Sequence, residues 1–91
     1  MKSRVEARFY GVVQGVYFRA YTANFAKQKN ITGWVCNLDD GSVSAVFEGE
    51  REDIEEVIRL LKEEHPAARI ENIDLKWLDF IGQFDDFEVR Y

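Results

Sequence analysis

The stretch Arg4-Val5-Glu6-Ala7-Arg8-Phe9-Tyr10-Gly11-Val12-Val13-Gln14-Gly15-Val16-Tyr17-Phe18-Arg19-Ala20-Tyr21-Thr22 changes its period partway along. Over residues 4–10, Val5, Ala7 and Phe9 alternate with Arg4, Glu6, Arg8 and Tyr10, the period of two that marks a half-buried strand. From Phe18 the spacing becomes three and four, through Phe18, Tyr21, Thr22, Phe25 and Ala26, which is a helix with one buried face. Gly11 and Gly15 lie between the two patterns and interrupt regular structure. Asn30, with Gly33 shortly beyond, closes the helix. The segment reads strand, glycine-bearing loop, helix.

Working outward, Trp34–Asn37 and Ser42–Glu48 are strand-like runs joined by Leu38-Asp39-Asp40-Gly41. Asp-Gly is a strong hairpin signal, because glycine supplies the positive φ that such turns need. Ile54, Val57, Ile58 and Leu61 then mark a second amphipathic helix, with Glu52 and Asp53 near its start, where the dipole favours negative charge. His65-Pro66 ends it, since the residue before a proline avoids the helical region. Ile73, Leu75 and Trp77 alternate, as do Phe87, Val89 and Tyr91.

This order predicts an α+β, ferredoxin-like split βαβ sandwich: an antiparallel sheet of four to five strands with two helices on one face. That fold carries enzymes, RNA binders and ligand sensors alike, so function has to be read from a site.

The 91 residues are expected to form one domain over 1–91. A hydrophobic share of 46% and an aromatic share of 14% are enough for a core, and 32% charged residues supply a polar surface. No apolar run approaches the roughly 20 residues needed to cross a bilayer, and no cationic start with an apolar stretch follows Met1. A cytoplasmic location is expected, with no membrane partner. The net charge of −5 has the wrong sign for a chain that grips nucleic-acid backbones. The lone Cys36 fits a reducing compartment. The single His65 has no ligands at zinc spacing, so neither a metal nor another cofactor is expected. Any anionic substrate would need positive charge placed locally.

The loop supplies a candidate for that charge. A glycine-bearing turn entering a helix leaves backbone N–H groups unpaired and pointing one way, with the helix dipole behind them. Arg19, at the helix start, can grip two phosphate oxygens through its planar guanidinium. The alternative is an ordinary turn followed by a surface arginine. Asn37 could equally cap the hairpin turn. Trp34 reads as a packing residue, His65 as a surface group or dipole complement, and the acidic run Glu52–Glu56 as a solvated helix face.

The segment G-x-V-Q-G-V-x-F-R from Gly11 to Arg19 resembles the first signature of the acylphosphatases. Gly33-Trp34-Val35-Cys36-Asn37-Leu38-Asp39-Asp40-Gly41-Ser42-Val43, with Gly49 beyond, resembles the second. Both stand in the right order on the expected elements, and the resemblance spans essentially the whole chain. It implies a metal-free hydrolase that cleaves the carboxyl–phosphate bond of small acyl phosphates. It also implies that Gln14, Gly15, Val16, Tyr17 and Phe18 cradle the phosphoryl group through their amides, that Arg19 completes the grip, and that Asn37 orients the attacking water.

Two positions depart from the family pattern or vary within it. Cys36 stands where a basic or polar residue is usual. Strand alternation turns it away from Asn37, and no base is near, so it is not expected to be a nucleophile. Tyr17 either narrows the pocket mouth or stacks on a substrate ring. The competing readings are an RNA-binding module and a phosphate-ligand sensor on the same fold. Relatives of this domain also occur joined to larger carbamoyl-handling proteins, and the lack of such an extension favours a free-standing enzyme; no interface pattern stands out, so a monomer is expected.

Overall fold

The computed structural model describes residues 1–91. The elements are β1 (Lys2–Val12), α1 (Phe18–Gln28), β2 (Thr32–Asn37), β3 (Val43–Glu50), α2 (Arg51–Glu63), β4 (Arg69–Asp79) and β5 (Phe87–Arg90). They form one sheet in the order β4-β1-β3-β2-β5, with both helices packed on one face. This is the ferredoxin-like arrangement that the sequence predicts.

The alternation in β1 sets the layer. Val5, Ala7 and Phe9 are buried against the helices, and register with β3 puts Ala7 opposite Ala45 and Val5 opposite Phe47. In α2 the buried residues are Ile54, Val57, Ile58 and Leu61, the four that the periodicity selects. Phe18 opens α1 at 1% exposure and meets Phe9 edge-on, with ring centroids 5.2 Å apart. Truncating such a ring to alanine costs about 3–5 kcal/mol, so the start of α1 is anchored to β1 directly beneath the loop that joins them. Asn30 ends α1 with a φ of 57°, and the N–H of Ile31 bonds the Ala26 carbonyl at 2.9 Å, a Schellman closure with asparagine where glycine is commoner.

Two details differ from expectation. The sheet is mixed, because β5 pairs parallel with β2. β4 runs away from the loop at residues 13–17, and segment 80–86 crosses to the other edge of the sheet instead of turning back in a hairpin. β5 therefore runs in the direction of β1 and β2 and brings Val89–Tyr91 back to the end where β1 and β2 finish. His65, expected at the surface, is buried at 8% exposure. The turn through Pro66 folds back over it, and its Nδ1 accepts the N–H groups of Ala67 (3.1 Å) and Ala68 (3.0 Å).

Segment 80–86 is held by Glu48. This residue points away from the helices, where its strand position predicts exposure, yet it is fully buried. Its Oε2 accepts the N–H groups of Ile81 (2.8 Å) and Gly82 (3.3 Å) and Nη1 of Arg4 (3.3 Å), and its Oε1 accepts the N–H of Gln83 (3.3 Å). Burial alone would raise the Glu48 carboxyl pKa, but the three N–H groups and Arg4 outweigh it and hold the group below its ordinary range.

Candidate active site

The C-terminal ends of β1, β2 and β5 and the N-terminus of α1 surround a cavity of about 440 Å³. Val13, Gln14, Gly15, Tyr17, Phe18, Arg19, Asn37 and Tyr91 are among its lining residues. Arg19 and Asn37, 18 positions apart in the sequence, thus face one space.

Local backbone geometry explains the loop. At Gly11 the β1–β4 register shifts, and a Cβ there would lie 2.2 Å from the Arg69 carbonyl oxygen, so only glycine lets the chain bend this close to β4. Gly15 has a φ of 74° with open space around it, so its need is conformational rather than steric. Tyr17 adopts the same left-handed region, with a φ of 61°, and opens α1 without a side-chain cap or an acidic residue in the first turn. None of the N–H groups of Gln14 to Phe18 is donated to another group of the chain. Such a succession of free N–H groups at a helix N-terminus is an anion-binding concavity.

The side chains around the loop divide their tasks. Gln14 Nε2 donates to the carbonyls of Leu38 (2.7 Å) and Ser42 (2.9 Å), which fastens the loop to the β2–β3 turn directly after Asn37. That turn is braced in its own right, since the Asp40 carboxylate accepts the Ser42 hydroxyl (2.5 Å) and N–H (2.9 Å), which lower its pKa. Arg19 Nη1 donates to the Arg90 carbonyl at 2.9 Å, and its guanidinium lies 4.5 Å from the centre of the Tyr91 ring. Arg19 makes no salt bridge, and an arginine carries five N–H donors, so most remain free to serve an anion. Asn37 Oδ1 is buried with no hydrogen-bond partner in the chain. A buried amide oxygen of this kind costs about 1–3 kcal/mol unless something bonds it, which makes it a natural acceptor for a water.

Of the other residues singled out in the sequence, Val16 packs its side chain against the core rather than lining the cavity. Tyr17 stands at the cavity's edge, 80% exposed. Trp34 lies on the open face of the sheet beneath the Arg90 guanidinium, 4.9 Å away, and outside the cavity. Cys36 is half-buried and alternates with Val35 and Asn37, so it faces away from the cavity. Sequence reasoning missed the contact of Tyr91 and the Arg90 carbonyl with Arg19, and the tie made by Gln14. The aromatic end of β5 was the available signal for Tyr91; nothing local announces the other two.

A family model for acylphosphatase matches residues 5–89. The chain belongs to the acylphosphatase family. It is 47% identical over 92 residues to an acylphosphatase of Natronomonas pharaonis, covering 99% of each chain. Among solved structures it resembles an acylphosphatase from Coxiella burnetii, with 34% identity, a TM-score of 0.89 and coverage of 98% and 93% of the two chains. It also resembles that of Bacillus subtilis, with a TM-score of 0.92 and 26% identity over the full length of both. The activity is hydrolysis of the carboxyl–phosphate bond of acyl phosphates, and the substrate is a small molecule. No helix is long and apolar enough to cross a membrane.

Proposed function

We propose that the N–H groups of Gln14, Gly15, Val16, Tyr17 and Phe18, together with the Arg19 guanidinium, bind the phosphoryl group, and that Asn37 aims the attacking water. The observation that carries this reading is the meeting of free N–H donors, an arginine without an acidic partner and a buried unpartnered Asn37 Oδ1 around one cavity. The water oxygen attacks phosphorus, the bond from phosphorus to the bridging oxygen breaks, and the carboxylate leaves with the bonding electrons. Its conjugate acid has a pKa of about 4 to 5, like other carboxyls, so no group need protonate it. Asn37 accepts one hydrogen bond from the water and does not act as a base. The water's proton passes to a phosphoryl oxygen.

Phosphoryl transfer of this type proceeds through a loose transition state and depends chiefly on positioning and charge stabilisation. Fixed donors already aimed at the developing charge supply both. We further read residues 1–91 as one domain acting as a monomer in the cytoplasm, without nucleic-acid partners. The single thiol and the net charge of −5 support those two last points.

The test is hydrolysis of benzoyl phosphate at neutral pH with a chelator present, comparing the parent with Arg19→Ala and Asn37→Ala. Loss in both variants with folding retained upholds the roles. Activity unchanged in either variant removes that residue from the mechanism.

A further inference from the structure

The Gln14 side chain does something that its backbone place in the loop does not require. Both protons of its amide go to one turn: Nε2 donates to the Leu38 carbonyl at 2.7 Å and to the Ser42 carbonyl at 2.9 Å. That turn is closed without Gln14, because the Leu38 N–H donates to the Ser42 carbonyl (2.9 Å) and the Gly41 N–H to the Leu38 carbonyl (3.2 Å). The Asp40 carboxylate holds Ser42 as well, through its N–H and hydroxyl. The amide of Gln14 is therefore not needed to satisfy the two carbonyls. What it adds is a cross-link. Next to it on one side is Gly15, where the phosphate loop turns through a φ of 74°. Next to Leu38 on the other is Asn37, whose Oδ1 is buried and unpartnered. No other hydrogen bond joins the loop at residues 13–17 to the turn at 38–42.

We propose that Gln14 is a positioning residue for acyl phosphate hydrolysis, its side-chain amide fixing the spacing between the phosphate cradle and the Asn37 Oδ1 that aims the water. This inference rests on the reading of Gln14–Phe18 as the cradle and of Asn37 as the water's partner. The cradle follows β1, and Asn37 ends β2. In the sheet β3 lies between those two strands, so no ladder bond ties one half of the site to the other. In-line attack needs the water oxygen about 3–3.5 Å from phosphorus and aligned with the breaking bond, and a misplacement of about 1 Å costs roughly 100-fold. One amide with two fixed acceptors supplies the tie that the sheet omits. The phosphate contacts themselves come from backbone N–H groups and Arg19, which the amide does not touch.

Gln14→Met keeps the length of the side chain and removes both donors, while the Leu38 and Ser42 carbonyls keep their backbone partners. With benzoyl phosphate as substrate, it lowers kcat by about thirtyfold, part of the roughly 100-fold that a misplacement of about 1 Å costs. The inhibition constant of inorganic phosphate rises by less than about threefold, since the lost group serves the attack and not ground-state binding. The deciding comparison adds Gln14→Met to Asn37→Ala. Acting through Asn37, it lowers kcat by less than about threefold in that background, because the water is already unaimed. A full thirtyfold loss there, or a rise in the phosphate inhibition constant with kcat unchanged, overturns the positioning role.

A measurement on the parent chain covers the case in which a variant fails to fold. Saturation with inorganic phosphate slows hydrogen exchange at the Leu38 and Gly41 N–H groups if cradle and turn are tied, and this upholds the role. Exchange at those two groups unchanged while the Gln14–Phe18 amides shift overturns the role alone. Saturation by phosphate with no movement of the Gln14–Phe18 amides overturns the cradle as well.

Discussion

Two clusters of backbone donors are built from the same parts, one closed by an anion of the chain itself and one proposed to receive an anion from solution. At one end of the sheet, the N–H groups of Ile81, Gly82 and Gln83 and the side chain of Arg4 converge on the Glu48 carboxylate. At the other, the N–H groups of Gln14 to Phe18 and the side chain of Arg19 face a cavity. Both pair successive backbone donors with one guanidinium. In the first the anion is part of the chain, the group is fully buried, and the interaction holds segment 80–86 and hence β5 in place. In the second no side chain of the protein fills the role, Arg19 is kept from acidic partners, and the donors stay accessible. The same electrostatics gives stability where the anion is covalently attached and, in the proposed mechanism, catalysis where it arrives from solution.

The two clusters are separated by substituting Arg19 in one and Glu48 in the other. Arg19→Ala lowers kcat/KM for benzoyl phosphate by about 1,000-fold, since losing even one fixed donor costs roughly 10²–10³, and it leaves the melting temperature nearly unchanged. Glu48→Ala does the reverse. It destabilises the fold by about 3 kcal/mol, because Arg4 loses its ion-pair partner and the N–H groups of Ile81, Gly82 and Gln83 lose their acceptor, while kcat/KM at a temperature where the variant is folded stays within about threefold, as for substitutions far from the site. Urea unfolding and initial-rate assays on both variants check this. An equal loss of activity in the two would show that the sites are coupled through β5, not separate.

Asn37→Ala comes next. It lowers kcat by about 100-fold with little change in KM, because aiming the water matters once substrate is bound; a pure KM effect would make Asn37 a binding group.

The smallest effect is that of acid on stability. The Glu48 carboxyl is held below its ordinary value of 4.5, so its contribution is complete above that pH and disappears as the pH falls through the lower folded value. His65 is pushed below its ordinary 6.5, chiefly by burial and against the pull of the Val16 carbonyl. The folded chain then binds fewer protons than the unfolded one, and stability falls as the pH drops from 6.5 toward the folded value. Melting temperatures measured across pH 3 to 8 should show two declines, the upper removed by His65→Asn and the lower, to which Asp40, Glu50 and Glu56 also contribute, made shallower by Glu48→Gln.

What was legible in the sequence follows the same division. The local geometry of the proposed cradle was readable because its parts are close in sequence: Gly15 for the positive φ, a helix start at Phe18, and Arg19 one residue into the helix all lie within a few positions. The four buried residues of α2 and the Asp-Gly turn were readable for the same reason. The Glu48 cluster was not, because that residue sits on an outward strand position and its partners lie 33 to 44 residues away. Nor was the parallel pairing of β5, which depends on where segment 80–86 crosses the sheet. His65 read as a surface residue because His-Pro after a helix signals only a stop; that the turn folds its ring onto Phe18 and Tyr21 is a tertiary event. Gln14 read as a cradle residue through its backbone, whereas its side chain is spent on Leu38 and Ser42.

The most direct test of the contrast between the two anion sites is a titration of the ¹⁵N-labelled parent with inorganic phosphate, followed at every backbone amide. The amides of Gln14 through Phe18 should shift together and saturate, while those of Ile81, Gly82 and Gln83 stay still, and Arg19→Ala should weaken the response at least tenfold. Shifts centred on residues 81–83, or binding that leaves the Gln14–Phe18 amides unmoved, would contradict the assignment of the loop as the phosphate site.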